Sequence, residues 1–338
     1  MNLPLRMGVA ATLAMILTSV PSRAEPAPTV PDATLDAYAA PAESIDIGGR
    51  RLDLRCSGSG TPTVLLEAGQ GMSSMSWCKV QPALARSMRV CAYDRAGLGF
   101  SDAAPLPRTA RAEADDLHAL VRSAKLAPPL VLVGHSLGSY IVRLYVDAHR
   151  ADVAGLVLVD PVSETFAQDA PDAAAREAKM SAENTEYGRR CGEAAHKGDL
   201  AHATPAAQAC VPPPNPGFST RLNDVLRARV ASPSYWDTGL SERESDAANV
   251  AAVRAARTPL GALPLVVLAA DGTNDGLAPA ERAAADAGYD AGRKRIASLS
   301  SAGRVVRVAH SSHNVQEDRP DAIIEAVEHL AAQWRRKP

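Results

Sequence analysis

The run PLVLVGHSLGSYIVRLY, residues 129–145, constrains the fold of this chain more than any other stretch. Its first half is a continuous apolar stretch of strand length. Its second half carries apolar residues at helical spacing. Between them stand Gly134, His135, Ser136, Leu137 and Gly138. A strand that passes into a helix through so few residues must turn sharply, and neighbouring backbone then leaves room only for glycine on either side. An apolar strand followed at once by a helix is the repeating unit of an α/β sheet. Ser136 falls at the tip of the turn, over the helix N-terminus, where the helix dipole favours negative charge beside the hydroxyl. A helix-capping serine also suits this spot. The strand before it and the helix after it favour a nucleophile on an elbow, with Gly134, His135 and Gly138 as the elbow residues.

The same alternation recurs along the chain. PTVLLEAG (62–69), MRVCAYDRAGLGFSD (88–102), VAGLVLVDP (153–161), LPLVVLAAD (263–271) and GRVVRVAHSS (303–312) each read as a strand running into a loop. SIDIGGRRLDLRCSGSG (44–60) reads as an early hairpin turning at Gly48-Gly49. Helical spacing predicts helices over 74–87, 109–126, 136–150 and 319–334. The expected fold is α/β, a mostly parallel central sheet flanked by helices. Between strands 153–161 and 263–271 lies a long Ala-rich polar segment without strand signals, including the proline cluster VPPPNPG (211–217). It is too long for a loop. The expected division is a core at 44–161 and 256–338, with a helical cap at 162–255 inserted after the strand at 153–161.

The N-terminus reads as a signal peptide over 1–24, with Arg6, the apolar run 7–20 and small residues Ser22 and Ala24 before a cleavage point. The Pro/Ala-rich stretch 25–43 reads as a linker. Export to the periplasm or medium is therefore expected, with no stable membrane insertion after cleavage. Export places the five cysteines in an oxidising compartment. Cys191 and Cys210 flank a polar segment with little core of its own and form the best pair. Cys56 and Cys91 lie on predicted strands and either pair or simply pack, which leaves Cys78 over. A formal net charge of −2 gives nucleic acid or an anionic membrane no electrostatic support as a partner.

A serine nucleophile needs a base, and the base needs an orienting acid. In the elbow scheme the chain order is Ser, acid, His. His313 lies on the loop after the last strand and before the final helix, and is preferred over His310, nearer the strand end, and His329, within the helix. The acid is expected after the strand 263–271, as Asp275 or alternatively Asp271; Asp160, at the end of the strand 153–161, reads as structural. The oxyanion needs preorganised N–H donors. The amide of Leu137 is one, and that of Gln70, on the glycine-bearing loop after strand 62–69, is the other.

LLEAGQG, YDRAGLGFSD, VGHSLG, VLVDP, NDGLAP and SSHNVQEDRPDAIIEAV together resemble the α/β-hydrolase fold superfamily, in particular its esterase-like serine members. The resemblance covers most of 44–338 and is weak in the insertion. It implies Ser136 as nucleophile, His313 as base, an acid after the penultimate strand, a cap after strand 153–161, and Asp94 and Arg95 holding a structural loop. Three departures stand out. Many relatives have His-Gly where this chain has Ala68-Gly69, Ser312 replaces a common glycine, and Glu67 in a buried strand calls for a cation that the sequence does not identify.

The expected activity is hydrolysis of carboxylic esters with small or medium acyl groups through an acyl-enzyme. The substrate is a small molecule, and no metal or organic cofactor is expected, because H-E-x-x-H and a G-x-G-x-x-G at a strand–helix junction are both lacking. Either a monomer or a homodimer fits. Lactonase or aminopeptidase/amidase chemistry on the same residues is the alternative within hydrolases, and a non-catalytic hydrolase-fold binding protein the alternative outside them. An aminopeptidase needs carboxylates for a substrate amine; Glu242, Glu244 and Asp246 read as an exposed helix face. Phe218, Tyr235 and Trp236 are candidates for either the pocket roof or the cap's own core.

Overall fold

The computed structural model describes residues 32–256 and 259–336. The expected signal peptide, 1–24, lies outside the described residues, as does the start of the expected linker. The rest of that linker is partly folded: Asp32–Asp36 is helical, and Tyr38 and Ala39 are buried against Leu222.

Among the described residues eight strands form one sheet in the order β1-β2-β4-β3-β5-β6-β7-β8. They are β1 Glu43–Asp46, β2 Arg51–Ser57, β3 Thr63–Glu67, β4 Val90–Tyr93, β5 Leu130–His135, β6 Val153–Val159, β7 Leu265–Ala270 and β8 Gly303–Val308. Only β1 and β2 run antiparallel to their neighbours; β4-β3-β5-β6-β7-β8 are parallel throughout.

Period-two alternation explains why the central strands read as unbroken apolar runs. Leu65, Leu132, Leu156 and Val267 project into one core, and Val64, Val131, Val157 and Val266 into the other. Both faces are covered, so nearly every position is apolar. Each such side chain stabilises the fold by about 1.5–3 kcal/mol.

Helices α1 (Ala110–Ser123) and α2 (Gly138–Ala148) close the first core, through Leu117, Leu120, Ile141 and Leu144. Thr109 caps α1 by accepting from Ala112 N–H at 3.2 Å. The second core is covered by the C-terminal helix (Pro320–Arg335) through Ile323, Val327 and Leu330. The helix predicted over 74–87 is broken into a 3₁₀ turn, Ser74–Trp77, and a short helix, Gln81–Leu84. Pro82 has no N–H to give and fits only the first turn of the second piece.

Between β6 and β7 the chain is helical. Its main elements are α3 (Pro171–His196), α4 (Thr220–Val230), α5 (Pro233–Glu244) and α6 (Asp246–Ala255). Trp236 is buried among Cys191, Cys210 and Ala195, and Phe218 packs beside Leu222. Both are therefore core residues, with Tyr235 edge-on to Trp236 at 5.2 Å. Cys191 and Cys210 are disulfide-bonded, as are Cys56 and Cys91, which face each other across β2 and β4; Cys78 is free. Among the described residues no helix is long and apolar enough to cross a membrane.

Candidate active site

The loops that leave the C-terminal ends of β3, β5, β6 and β8 share one edge of the sheet, where open α/β sheets gather their ligand-binding residues. They carry Gln70, Ser136, Asp160 and His313.

Ser136 has φ 51°, the left-handed region that non-glycine residues seldom occupy. Its N–H donates to Val159 O at 3.1 Å, continuing the β5–β6 ladder into the turn, and its C=O accepts from Ser139 N–H as α2 begins. The flanking glycines have the steric reason that the sequence suggests. A Cβ at Gly134 would meet Gly138 O at 2.6 Å, and one at Gly138 would meet the carbonyls of Glu67 and Ala68, each at 2.7 Å. These contacts are with backbone and cannot yield cheaply. Leu137 is buried at the helix N-terminus, where the first amides lack intrahelical acceptors.

His313 donates from Nδ1 to Asp160 Oδ2 at 2.7 Å. Neither carboxylate expected as the acid is its partner. Asp275 is exposed and pairs with Arg282 at 3.1 Å. Asp271 is also exposed and accepts from Ser311 N–H at 3.2 Å. Asp160, which reads as structural in the sequence, is 2% exposed and collects four donors. Besides His313 these are Thr273 Oγ1 at 2.8 Å, Ala270 N–H at 3.2 Å and the Arg293 guanidinium. Burial alone would push its carboxyl up. The His313 hydrogen bond and the Arg293 charge outweigh burial and hold it below the ordinary aspartate value. The reason that Asp160, and neither Asp271 nor Asp275, meets His313 is topological. β6 is the immediate neighbour of β5, so its C-terminal end lies beside the elbow, whereas the end of β7 is one strand further away. Asp160 also has a positive φ, 41°, so the chain turns as abruptly there as at Ser136.

His135 ties the loop carrying His313 to the turn at Ser136. Its Nε2–H donates to the backbone carbonyl of His313 at 2.9 Å, and the two rings lie 4.8 Å apart. Burial, and then the neighbouring His313, pull its pKa down to about 3. The imidazole is therefore neutral, with Nδ1 unprotonated and packed so closely on Gly69 that a Cβ there would lie 2.7 Å away.

Arg95 is the cation that Glu67 calls for. It donates to Glu67 Oε1 at 2.8 Å, and Tyr93 OH donates to the other oxygen, Oε2. Burial pushes Glu67 up to about 7 against the pull of Arg95 and Tyr93. Arg95 also holds the carbonyls of Ala68 and Gly69, at 2.8 and 2.7 Å. The loop carrying Gln70 is thus fastened from beneath by a fully buried guanidinium.

Ser136, Leu137 and Gln70 line one cavity of about 560 Å³ between the sheet edge and the insertion, whose wall includes Tyr140, Phe166 and Glu177. Phe218, Tyr235 and Trp236 are not among its lining residues. Of the carboxylates weighed for binding an amine, Glu242 and Asp246 both line the cavity, Glu242 with its carboxylate held by Arg95, while Glu244 is exposed and bonded to Arg189.

Among the described residues, His118, His149 and Asp152 bring metal-ligand types together, with candidate ligand atoms within 4.8 Å of one another. The two imidazoles stack at 3.6 Å with only 7° between planes. Their in-plane lone pairs run side by side instead of converging, which does not suit a tetrahedral shell.

Residues 62–320 match the family described as alpha/beta hydrolase fold. A probable transporter of the fungus Hormonema carpetanum is 40% identical over 128 residues, 36% of this chain; the match spans only 18% of that protein's length. A candidate epoxide hydrolase from Pseudomonas aeruginosa superposes with TM-score 0.62 at 21% identity, over 87% of this chain and 96% of the other. A thermophilic esterase from Thermogutta terrifontis superposes with TM-score 0.55 at 21% identity, over 87% and 99%.

Proposed function

This chain belongs to the alpha/beta hydrolase fold family, and on that premise we propose that it is a serine hydrolase cleaving carboxylic esters of small or medium acyl size. The observation that carries this reading is the His313–Asp160 pair, 2.7 Å between Nδ1 and Oδ2, on the loops beside the strained Ser136 turn. Asp160 fixes the tautomer that leaves His313 Nε2 free to accept a proton.

In this reading Ser136 Oγ attacks the ester carbonyl carbon while His313 Nε2 takes its proton. The carbonyl electron pair moves onto oxygen, which receives the N–H groups of Leu137 and Gln70. Collapse expels the alcohol, protonated by His313, and leaves an acyl group on Ser136. Water, deprotonated by His313, attacks that acyl carbon; the acid leaves and Ser136 recovers its proton. Asp160, surrounded by four donors, remains a carboxylate and stabilises the imidazolium.

A cavity of about 560 Å³ supports a bounded substrate. The esterase among the structural neighbours supports the same chemistry at the level of the fold. Hydrolysis of p-nitrophenyl esters from acetyl to palmitoyl, with Ser136→Ala prepared in parallel, tests it. Turnover of the shorter esters by the wild type and none by the variant is expected. Equal inertness of both towards every ester would move the assignment to lactone or amide substrates or to binding alone.

A further inference from the structure

We propose that Glu242, on α5 of the insertion, is a positioning residue for the oxyanion loop, so that docking of the insertion assembles the loop that carries the Gln70 donor. This deepens the reading of Ser136 as nucleophile and rests on it.

The observation is a continuous buried set of contacts from the insertion to the loop. The Glu242 side chain is fully buried. Its Oε2 accepts from Gly71 N–H at 2.8 Å, and its Oε1 accepts from Arg95 Nε at 2.9 Å. Arg95 Nη1 donates to Glu67 and to the Ala68 carbonyl, and Nη2 to the Gly69 carbonyl. A trans peptide points its C=O and N–H to opposite sides. Capture of the Gly69 carbonyl by Arg95 therefore turns the Gln70 N–H away from the guanidinium. Gln70 lines the cavity with Ser136. Glu242 engages the next N–H, that of Gly71, and so removes it as a competing donor. Gln70 is left as the loop amide for the oxyanion. Glu242 thus sets both ends of the Gln70 residue: Arg95 before it and Gly71 after it.

The sequence around the loop agrees. Gly71 has φ 66°, a conformation glycine adopts freely, and Met72 N–H closes the turn onto Gly69 O at 3.1 Å. Glycine at position 71 leaves the loop backbone other conformations to adopt. A charge-assisted pair of bonds from outside the loop selects one. The rest of α5 is fastened to the same region: Arg108 N–H donates to Ser241 Oγ at 2.8 Å, and Thr238 Oγ1 to Ala96 O at 3.3 Å. Helix α5 is consequently a docked wall of the site and not a free lid.

The test compares wild type, Glu242→Gln, Glu242→Ala, Ser241→Ala and Ser136→Ala on one short p-nitrophenyl ester. Each is also titrated with a trifluoromethyl ketone of matching length, whose adduct with Ser136 places an oxyanion in the same position. Glu242→Ala is expected to lower kcat by about 10–100-fold, a fraction of the loss on removing an oxyanion donor outright. KM should change little, and the ketone should weaken by the same factor as kcat. Glu242→Gln, which keeps an acceptor but not the charge, should fall between. Ser241→Ala removes a tie on the same helix without touching the loop, and should stay within about twofold. A folded Glu242 variant with wild-type kcat and ketone affinity overturns the inference, as does an equal loss in Ser241→Ala. If Glu242→Ala does not fold, Glu242→Gln decides by the same two readouts. Ester hydrolysis undiminished in Ser136→Ala would instead overturn the nucleophile reading, and this inference with it.

Discussion

Replacing Asp160 by Asn separates the carboxylate that meets His313 from the acid expected along the sequence. The carboxylate faces four donors: His313 Nδ1, Thr273 Oγ1, Ala270 N–H and the Arg293 guanidinium. A carboxamide has one oxygen and an NH₂ group, so it cannot accept from all four. Two consequences follow. His313 loses the negative charge that stabilises its imidazolium and the acceptor that fixes its tautomer, and kcat should fall by about 10³–10⁴-fold. That corresponds to about 4–5.5 kcal/mol of barrier. Arg293, 3% exposed, is left facing a neutral group. Removing one partner of a buried ion pair costs about 3–5 kcal/mol of stability, so thermal unfolding must be followed alongside, with rates taken well below the transition. The assay is initial-rate release of p-nitrophenolate, with Asp275→Asn and Asp271→Asn measured in parallel. Asp275 meets Arg282 on the surface, where an ion pair contributes about 0–1 kcal/mol, and its variant should keep activity within about twofold. A folded Asp160→Asn enzyme within tenfold of wild type, or an Asp275→Asn enzyme that falls as far as Asp160→Asn is expected to, would refute the assignment.

Three further outcomes are expected. Gly138→Ala would drive a Cβ against the backbone carbonyls of Glu67 and Ala68; it should cost about 1–3 kcal/mol in denaturant unfolding and lower kcat as β3 and α2 move apart. His135 is held neutral down to about pH 3, so its folded pKa lies below the ordinary value of about 6.5. The unfolded chain then binds the extra proton, and stability should decline from about pH 6.5 towards pH 3 by up to about 1.4 kcal/mol per pH unit. Denaturant titrations between pH 4 and 7 should show a shallower slope for His135→Asn; an unchanged slope counts against a neutral His135. Changing Cys191 and Cys210 together to Ser opens a loop with a sequence separation of 19 and should cost about 3 kcal/mol, read as earlier loss of the helical insertion in a protease-susceptibility melt.

Much of the framework is legible in the chain because it is local. A strand buried on both faces is apolar at nearly every position, so β3, β5, β6 and β7 announce themselves without reference to their neighbours. The turn at Ser136 is equally local, since the backbone needs two positions without Cβ within a few residues of the serine. His313 stands out from His310 and His329 by its place on the loop between the last strand and the final helix. The pairing of Cys191 with Cys210 follows from their flanking a short polar segment.

What the sequence does not contain is which strand end lies beside which. Asp160, Asp271 and Asp275 all follow strands, and nothing local distinguishes them. Only the sheet order, which sets β6 against β5, and the buried Arg293 that neutralises its surroundings, make Asp160 the partner of His313. The same holds for Glu67, Arg95 and Glu242, separated along the chain by 28 and 147 residues, whose charges are tolerable in the interior only because folding brings them together. Helix α5 looks like an exposed polar face in sequence because charged residues usually stay in water. The tertiary structure buries Glu242 there because a guanidinium and an amide await it, and neither lies near it in the chain.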